Sequence, residues 1–469
     1  MHSLLCFFLL GFSCASTTEV ILSVDTSRMY AYTGDYFLSV AIGISFIRHN
    51  RSGFDVSSPR FVNLAKHLSP AVFRMGGALE DYVVFNSSGG GSDRPRPPKA
   101  DSYLQEWQWD IINDFSNKVG WNLIFGLNAL LRYPNGSWDS TNAAKLLNYT
   151  ASKNYSVAWE LGNEPKSFPK NETVEPEQMA KDFLVLKDMI NSLPHLGHFP
   201  VRLAGPDDIH KLEYYERFLK ALGDRIDAAT SHEYYENGRT AKVEDFTNPR
   251  LLDSLKVYLN RATQIAANYA PSAQVWLGET SSAYGGGAPN LSDAFVAGNM
   301  WLDKLGLAAL RNISVVCRQA YIGGKYALLN SSFYPFPDYY TSVLFKRLVG
   351  PKVLRVDDED GRIVRYYAHC SLESRGSVVI YVMNLGNDTA NLQLPSNLIG
   401  GPIDIYVLTP GSGGLTSKEI LLNGKLLTLE NDDLPSLKPI TMRAGNRVNL
   451  PSKTYGFFVV HASVPACME

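Results

Sequence analysis

Short runs of branched and aromatic apolar residues recur along the chain at residues 37–44, 71–75, 123–128, 157–161, 201–204, 228–232, 275–278 and 315–320. Their length and composition predict strands, and their nearly unbroken apolar character predicts strands covered on both faces. Between them the apolar positions recur at helical spacing. Over residues 176–193, for example, Met179, Phe183, Leu186 and Ile190 share one face. Ser58-Pro59, Glu175-Pro176 and Asn248-Pro249 mark helix starts, because a proline in the first turn gives up an N–H that has no partner there. Gly120, Gly223 and Gly350 follow periodic stretches and read as stops. Eight strands alternating with helices predict an α/β fold, a (β/α)8 TIM barrel over residues 37–350.

Beyond residue 350 the period changes to two. Runs at 362–370, 377–385, 404–408, 419–422 and 456–461 predict an all-β sandwich domain over residues 351–469. The segment 17–36 also reads as extended and is expected to join it. Residues 86–99, rich in Gly, Ser and Pro, read as a linker-like insert between the second barrel strand and its helix.

The chain has 469 residues, 45% of them apolar and 19% charged, and its net charge is −2. This balance excludes a disordered tail and a nucleic-acid protein working through bulk positive charge. Residues 1–16 contain a short apolar run followed by small residues and read as a signal peptide, so a secreted or lysosomal protein is expected. No later stretch is apolar enough to predict a transmembrane segment. Ten Asn-X-Ser/Thr sites, from Asn50 to Asn387, fit the same compartment. Loss of the leader removes Cys6 and Cys14 and leaves Cys317, Cys370 and Cys467, which suit one disulfide and one spare thiol.

Barrels of this kind carry their chemistry at the C-terminal ends of the strands. The fourth predicted strand leads into Asn163-Glu164-Pro165 and the seventh into Gly278-Glu279-Thr280. Two carboxyls facing each other across a barrel mouth suit glycoside hydrolysis. One protonates the leaving oxygen while the other attacks the anomeric carbon. Glu160 has the same strand parity as Glu164 one layer deeper, and is expected to be a buried partner of a basic group such as Arg74.

The segments Trp159-Glu160-Leu161-Gly162-Asn163-Glu164-Pro165 and Leu277-Gly278-Glu279-Thr280-Ser281-Ser282-Ala283-Tyr284-Gly285-Gly286-Gly287 resemble those of the heparanases, the endo-β-glucuronidases of glycoside hydrolase family 79, clan A. So do residues 123–132 and 301–307. The resemblance implies that Glu164 is the acid/base and Glu279 the nucleophile, with no metal or cofactor. It implies substrate contacts from Asn163, His232, Tyr234, Gly285, Gly286, Gln319 and Tyr326, and basic rim positions at Lys170 and Arg239. It further implies a Cys370–Cys467 disulfide, which leaves Cys317 as the spare thiol. The expected partner is heparan sulfate or heparin, and association with cell-surface proteoglycan would follow. We expect no nucleic-acid partner, and a monomer.

The chain also departs from the family. The excised linker that covers the family's cleft before processing is reduced here to the insert at 86–99, so activity as a single chain is expected. The basic clusters are thinned to Arg94, Arg96 and Lys99, and to His210, Lys211, Arg217 and Lys220. Gly43, Ser45 and Ala78 stand where the family carries polar residues that hydrogen-bond the sugar. The expected function is a retaining endo-β-glucuronidase cleaving glucuronate–glucosamine β-1,4 linkages of heparan sulfate. Two alternatives stay open: an exo-β-glucuronidase or a chondroitin or hyaluronan hydrolase, and a non-catalytic heparan sulfate-binding homologue.

Overall fold

The computed structural model describes residues 16–49, 54–86, 102–194, 197–209, 211–443 and 445–468. Residues 1–15 of the expected signal peptide, Asn50, residues 87–99 of the insert with Arg94, Arg96 and Lys99, and His210 lie outside the described residues.

Eight parallel strands build the central sheet: β1 (Leu38–Gly43), β2 (Ala71–Gly76), β3 (Trp121–Leu127), β4 (Val157–Leu161), β5 (Ala204–Ile209), β6 (Ala228–Asn237), β7 (Gln274–Tyr284) and β8 (Val315–Gln319). Their ladder runs β5-β6-β7-β8-β1-β2-β3-β4. A parallel bridge between Trp159 and Leu203 brings the two ends together and closes the barrel. Among the described residues, the helices of eight residues or more that cover the sheet are α1 (Pro59–Lys66), α2 (Glu106–Val119), α3 (Thr141–Ser152), α4 (Pro176–Asn191), α5 (Glu213–Leu222), α6 (Pro249–Tyr269), α7 (Ala297–Leu310) and α8 (Pro337–Leu348). The expected starts are present. Ser58 and Asn248 accept backbone N–H bonds at the heads of α1 and α6, and Gly120 ends α2 in the left-handed region.

Two expectations require correction. The fifth strand lies at Ala204–Ile209 rather than 201–204, because Gly205-Pro206-Asp207-Asp208 reads as a turn by composition yet pairs with β6. Gly350 is not a helix stop. It lies in the strand Val349–Val356 that follows α8 directly, where a Cβ would stand 2.6 Å from the Cys370 carbonyl oxygen. In addition, β6 and β7 run well beyond their apolar portions. Parallel ladder bonds are made by the backbone and do not require apolar side chains.

Inside the barrel, side chains two residues apart on a strand form layers. Ala41, Val72, Ala158, Ala228, Trp276 and Cys317 lie in an apolar interior cluster. Two residues further along β2 and β4 come Arg74 and Glu160, and along β6 come Thr230, His232 and Tyr234. The interior therefore changes from greasy to charged as the strands approach the mouth.

The C-terminal strands form a larger sheet that includes Val349–Val356, Val364–Ser371, Val378–Asn384, Tyr455–Val460 and Ile403–Pro410. A second, three-stranded sheet pairs Thr17–Ile21 with Thr389–Gln393 and the latter with Arg447–Leu450. The extended N-terminal segment thus supplies strands to both sheets. Cys370 and Cys467 form a disulfide across 97 residues, and Cys317 is free and buried. Helix α7 is buried on almost every side because it lies between barrel and sheet. There Arg365 donates to Asp303 at 2.5 Å and the Tyr367 hydroxyl donates to the same carboxylate oxygen at 2.6 Å. Among the described residues, no helix is long and apolar enough to cross a membrane.

Candidate active site

Glu164 and Glu279 meet at the mouth of the barrel. Glu164 follows β4 in the left-handed region at φ 51°, and its backbone N–H donates to the Asp207 carbonyl at 3.0 Å. Glu279 lies within β7. A register slip beside Gly278 sets it opposite His232 of β6. One oxygen of each carboxylate and one nitrogen of His232 all lie within 4.8 Å of one another. The Glu164 side chain is 23% exposed and that of Glu279 is 10% exposed, so neither is fully sealed from solvent.

Each carboxylate has its own donors. The Tyr234 hydroxyl donates to Glu279 Oε1 at 2.6 Å, and Arg74 donates through Nη1 to Oε2 at 2.9 Å. His232 Nδ1 lies 3.0 Å from Glu164 Oε1, and its Nε2 lies 3.2 Å from Asp207 Oδ1. Burial works against a charge on this imidazole. The hydrogen bonds with Asp207 and Glu164 and the charge of Glu279 overcome that and raise its pKa to about 10. At neutral pH it is an imidazolium whose two N–H groups both donate. His232 thus joins Glu164 and Asp207 by hydrogen bonds, while Glu279 acts on it through its charge.

Arg74 organises the layer beneath. It donates through Nε to Glu160 at 2.8 Å, through Nη2 to Asn163 Oδ1 at 3.0 Å and through Nη2 to Asp207 at 3.4 Å. Glu80 lies 3.9 Å away. Four carboxylates around one guanidinium cannot all stay charged in a buried site. Burial lifts Glu160 to about 8 in spite of Arg74, and it lifts Glu80 well above the carboxylate range. Asp207 goes the other way. Burial opposes its charge, but Arg74, His232 and a hydrogen bond with Glu160 hold it well below the usual range. Asp81 accepts the N–H groups of Asn163 and Ala129 at 2.9 Å each, which fixes the turn carrying Asn163 and Glu164.

The remaining expected site residues take different places. Gln319 ends β8, and Tyr326 follows it with its ring 6.4 Å from that of Tyr234. Gly285 and Gly286 follow β7 at φ 76° and 89°, a region open to glycine, and the Gly286 carbonyl accepts the Lys325 N–H at 2.6 Å. Lys170 and Arg239 are exposed on the loops after β4 and β6, outside the hydrogen-bonded set. Sequence reasoning found Arg74 only as a partner for Glu160, a pairing the structure contains. It missed the contacts of Arg74 with Glu279 and Asn163, and missed Asp207, Glu80 and Asp81 altogether. An acidic pair following Gly-Pro at the mouth of a barrel was the available signal for Asp207.

Residues 45–306 match the N-terminal domain of glycosyl hydrolase family 79. The chain is 38% identical to heparanase of Gallus gallus over 92% of this chain and 93% of that protein. It is 32% identical to hyaluronoglucuronidase of Hirudo nipponia over 96% of this chain and all (100%) of that one. Its fold is shared with a solved structure, a 4-O-α-L-rhamnosyl-β-D-glucuronidase from Fusarium oxysporum. That likeness has a TM-score of 0.70 at 16% identity and covers 94% of this chain and 100% of the other.

Proposed function

This chain belongs to glycosyl hydrolase family 79 and is a glycoside hydrolase acting on glycosaminoglycans, and we propose that it is a retaining endo-β-glucuronidase of heparan sulfate. The observation that carries this reading is the approach of Glu164 and Glu279 to within 4.8 Å, each with its own donors. So close an approach supports the retaining geometry, in which the two carboxyls stand about 5–5.5 Å apart and one of them is the nucleophile.

The two donors on Glu279 support its reading as the nucleophile. Glu279 receives Tyr234 and Arg74 on its two oxygens, which stabilises a carboxylate and aims it. It attacks the anomeric carbon of glucuronate and forms a glycosyl-enzyme ester. Glu164 gives its proton to the departing glucosamine oxygen, then takes a proton from the water that cleaves the ester. Because Arg74 occupies Asn163 Oδ1, the amide nitrogen of that side chain is the end left to donate to a sugar hydroxyl. Gly285 and Gly286 leave backbone N–H groups unobstructed by side chains for a uronate carboxylate. The leader-like residues 1–16 support export, and the shortness of the 86–99 insert supports activity without processing.

One observation favours a second reading, a hyaluronan or chondroitin hydrolase. No atom lies within 4 Å of where a Cβ would stand at Gly43, so the end of β1 leaves open space where the family carries a polar partner. A site that pairs a hydroxyl discriminates strongly, and its loss changes which saccharides fit. The test is to incubate the unprocessed chain with heparan sulfate, hyaluronan and chondroitin separately and to size the products. Oligosaccharides from heparan sulfate alone are expected. Fragments from hyaluronan alone would establish the second reading, and monosaccharide as the sole product would replace endo with exo action.

A further inference from the structure

Asp207 stands where β5 slips register against β6, in the left-handed region at φ 53°. Its side chain is fully buried and both of its oxygens are engaged, Oδ1 with His232 Nε2 at 3.2 Å and Oδ2 with Arg74 Nη2 at 3.4 Å. Its backbone is engaged as well. The N–H donates to Thr230 Oγ1 at 3.1 Å, and the carbonyl accepts the N–H of Glu164 at 3.0 Å. The neighbouring strand makes room for it, since a Cβ at Gly278 would stand 2.9 Å from Asp207 Oδ1.

Two lines of contact leave this one side chain. The first passes through His232 to Glu164 Oε1, and the second passes through Arg74 to Glu279 Oε2. We infer that Asp207 is a positioning residue for both reacting carboxylates, holding Glu164 through His232 and Glu279 through Arg74. The inference rests on the reading of those two glutamates as the reacting pair.

The charged groups around His232 come from three strands and the loop after a fourth. Asp207 and Asp208 lie on β5, Glu164 follows β4, Glu279 lies on β7 and Arg74 on β2. With Asp207 charged, both ring nitrogens keep their protons and Nδ1 presents a fixed donor to Glu164. A neutral residue at 207 removes the charge that faces Nε2. The imidazolium then gives up a proton at lower pH, and the remaining proton is shared between two nitrogens, only one of which reaches Glu164. Arg74 meanwhile loses the lateral anchor on Nη2 and keeps Glu160, Glu279 and Asn163.

The experiment compares the full chain with its Asp207→Asn variant, both labelled at histidine. His232 is titrated by NMR, assigned through His232→Gln, and kcat and KM are measured on heparan sulfate oligosaccharides. In the unsubstituted protein His232 is expected to stay an imidazolium past about pH 8. In Asp207→Asn it is expected to lose its proton below that pH, while kcat falls about ten- to a hundredfold and KM stays within about threefold. Asp207→Glu is expected to recover part of kcat. A neutral His232 at pH 7 in the unsubstituted protein would overturn the inference even if the variant does not fold. So would a folded Asp207→Asn with an unshifted His232 and an unchanged kcat. If the unsubstituted chain cleaves no polysaccharide, the functional reading fails while the histidine titration still decides the role of Asp207.

Discussion

The hydroxyl of Tyr234 on β6 donates to Glu279 Oε1 on β7 across 2.6 Å, and both groups are buried. A buried hydrogen bond to a charged group contributes about 1.5–3 kcal/mol. Tyr234→Phe keeps the ring and its packing against Tyr326, and removes only that donor. It is expected to lower kcat about 10- to 100-fold with little change in thermal unfolding. Steady-state kinetics on a heparan sulfate oligosaccharide check this, and an unchanged kcat would remove Tyr234 from the account.

Glu164→Ala tests the acid/base role. General acid–base catalysis contributes about 10²–10⁴-fold, and a loss of that size is expected. Added azide should restore turnover on a substrate with a good leaving group and yield a β-glycosyl azide, because the small anion can reach the glycosyl-enzyme where the missing carboxylate no longer blocks it. Failure of azide to form any adduct, detected by mass spectrometry, would argue against Glu164 as the acid/base.

The buried acids make folding stability depend on pH in an unusual direction. Burial raises Glu160 to about 8 and Asp81 to about 7. A carboxyl whose folded pKa lies above its unfolded value near ~4 binds protons more tightly when folded. Its contribution is complete below the unfolded value and is lost as pH rises through the folded one. His232, raised to about 10, acts in the same direction above its ordinary value of 6.5. Urea midpoints, and with them the unfolding free energy, should therefore fall between pH 5 and pH 8, the latter by up to about 1.4 kcal/mol per pH unit for each group, and Glu160→Gln should flatten that slope. A midpoint that rises over this range would contradict the charge assignment around Arg74.

The Cys370–Cys467 disulfide closes a loop of 97 residues and fastens the last turn to the strand Val364–Ser371. Its replacement by serines is expected to cost about 2–5 kcal/mol. Because the bond lies in the β-sheet region, kcat at temperatures where the protein stays folded should be unaffected. Denaturant unfolding with and without reductant measures the cost.

Much of this molecule was legible from apolar patterning because most barrel strands are covered on both faces. The strands carrying Arg74 and Glu279, and the strand that leads into Glu164, could be located that way, and Glu164 and Glu279 stood out as acids at predicted strand ends. The pattern failed where polarity and burial coincide. Gly205-Pro206-Asp207-Asp208 is polar and turn-like, yet Asp207 is fully buried because Arg74 and His232 neutralise it. Glu80 and Asp81 lie in a short turn after β2 and are equally buried, which no hydropathy pattern reports. Residues whose burial depends on partners from other strands become visible only once the strands are assembled.

The configuration of the first product tests the shared role of Glu164 and Glu279 most directly. ¹H NMR during early turnover of a heparan sulfate oligosaccharide distinguishes the two anomers before mutarotation mixes them. A β-glucuronate reducing end appearing first is the result expected from two inversions through a Glu279 ester. An α-anomer appearing first would mean that water attacks directly, which contradicts the assignment of Glu279 as the nucleophile.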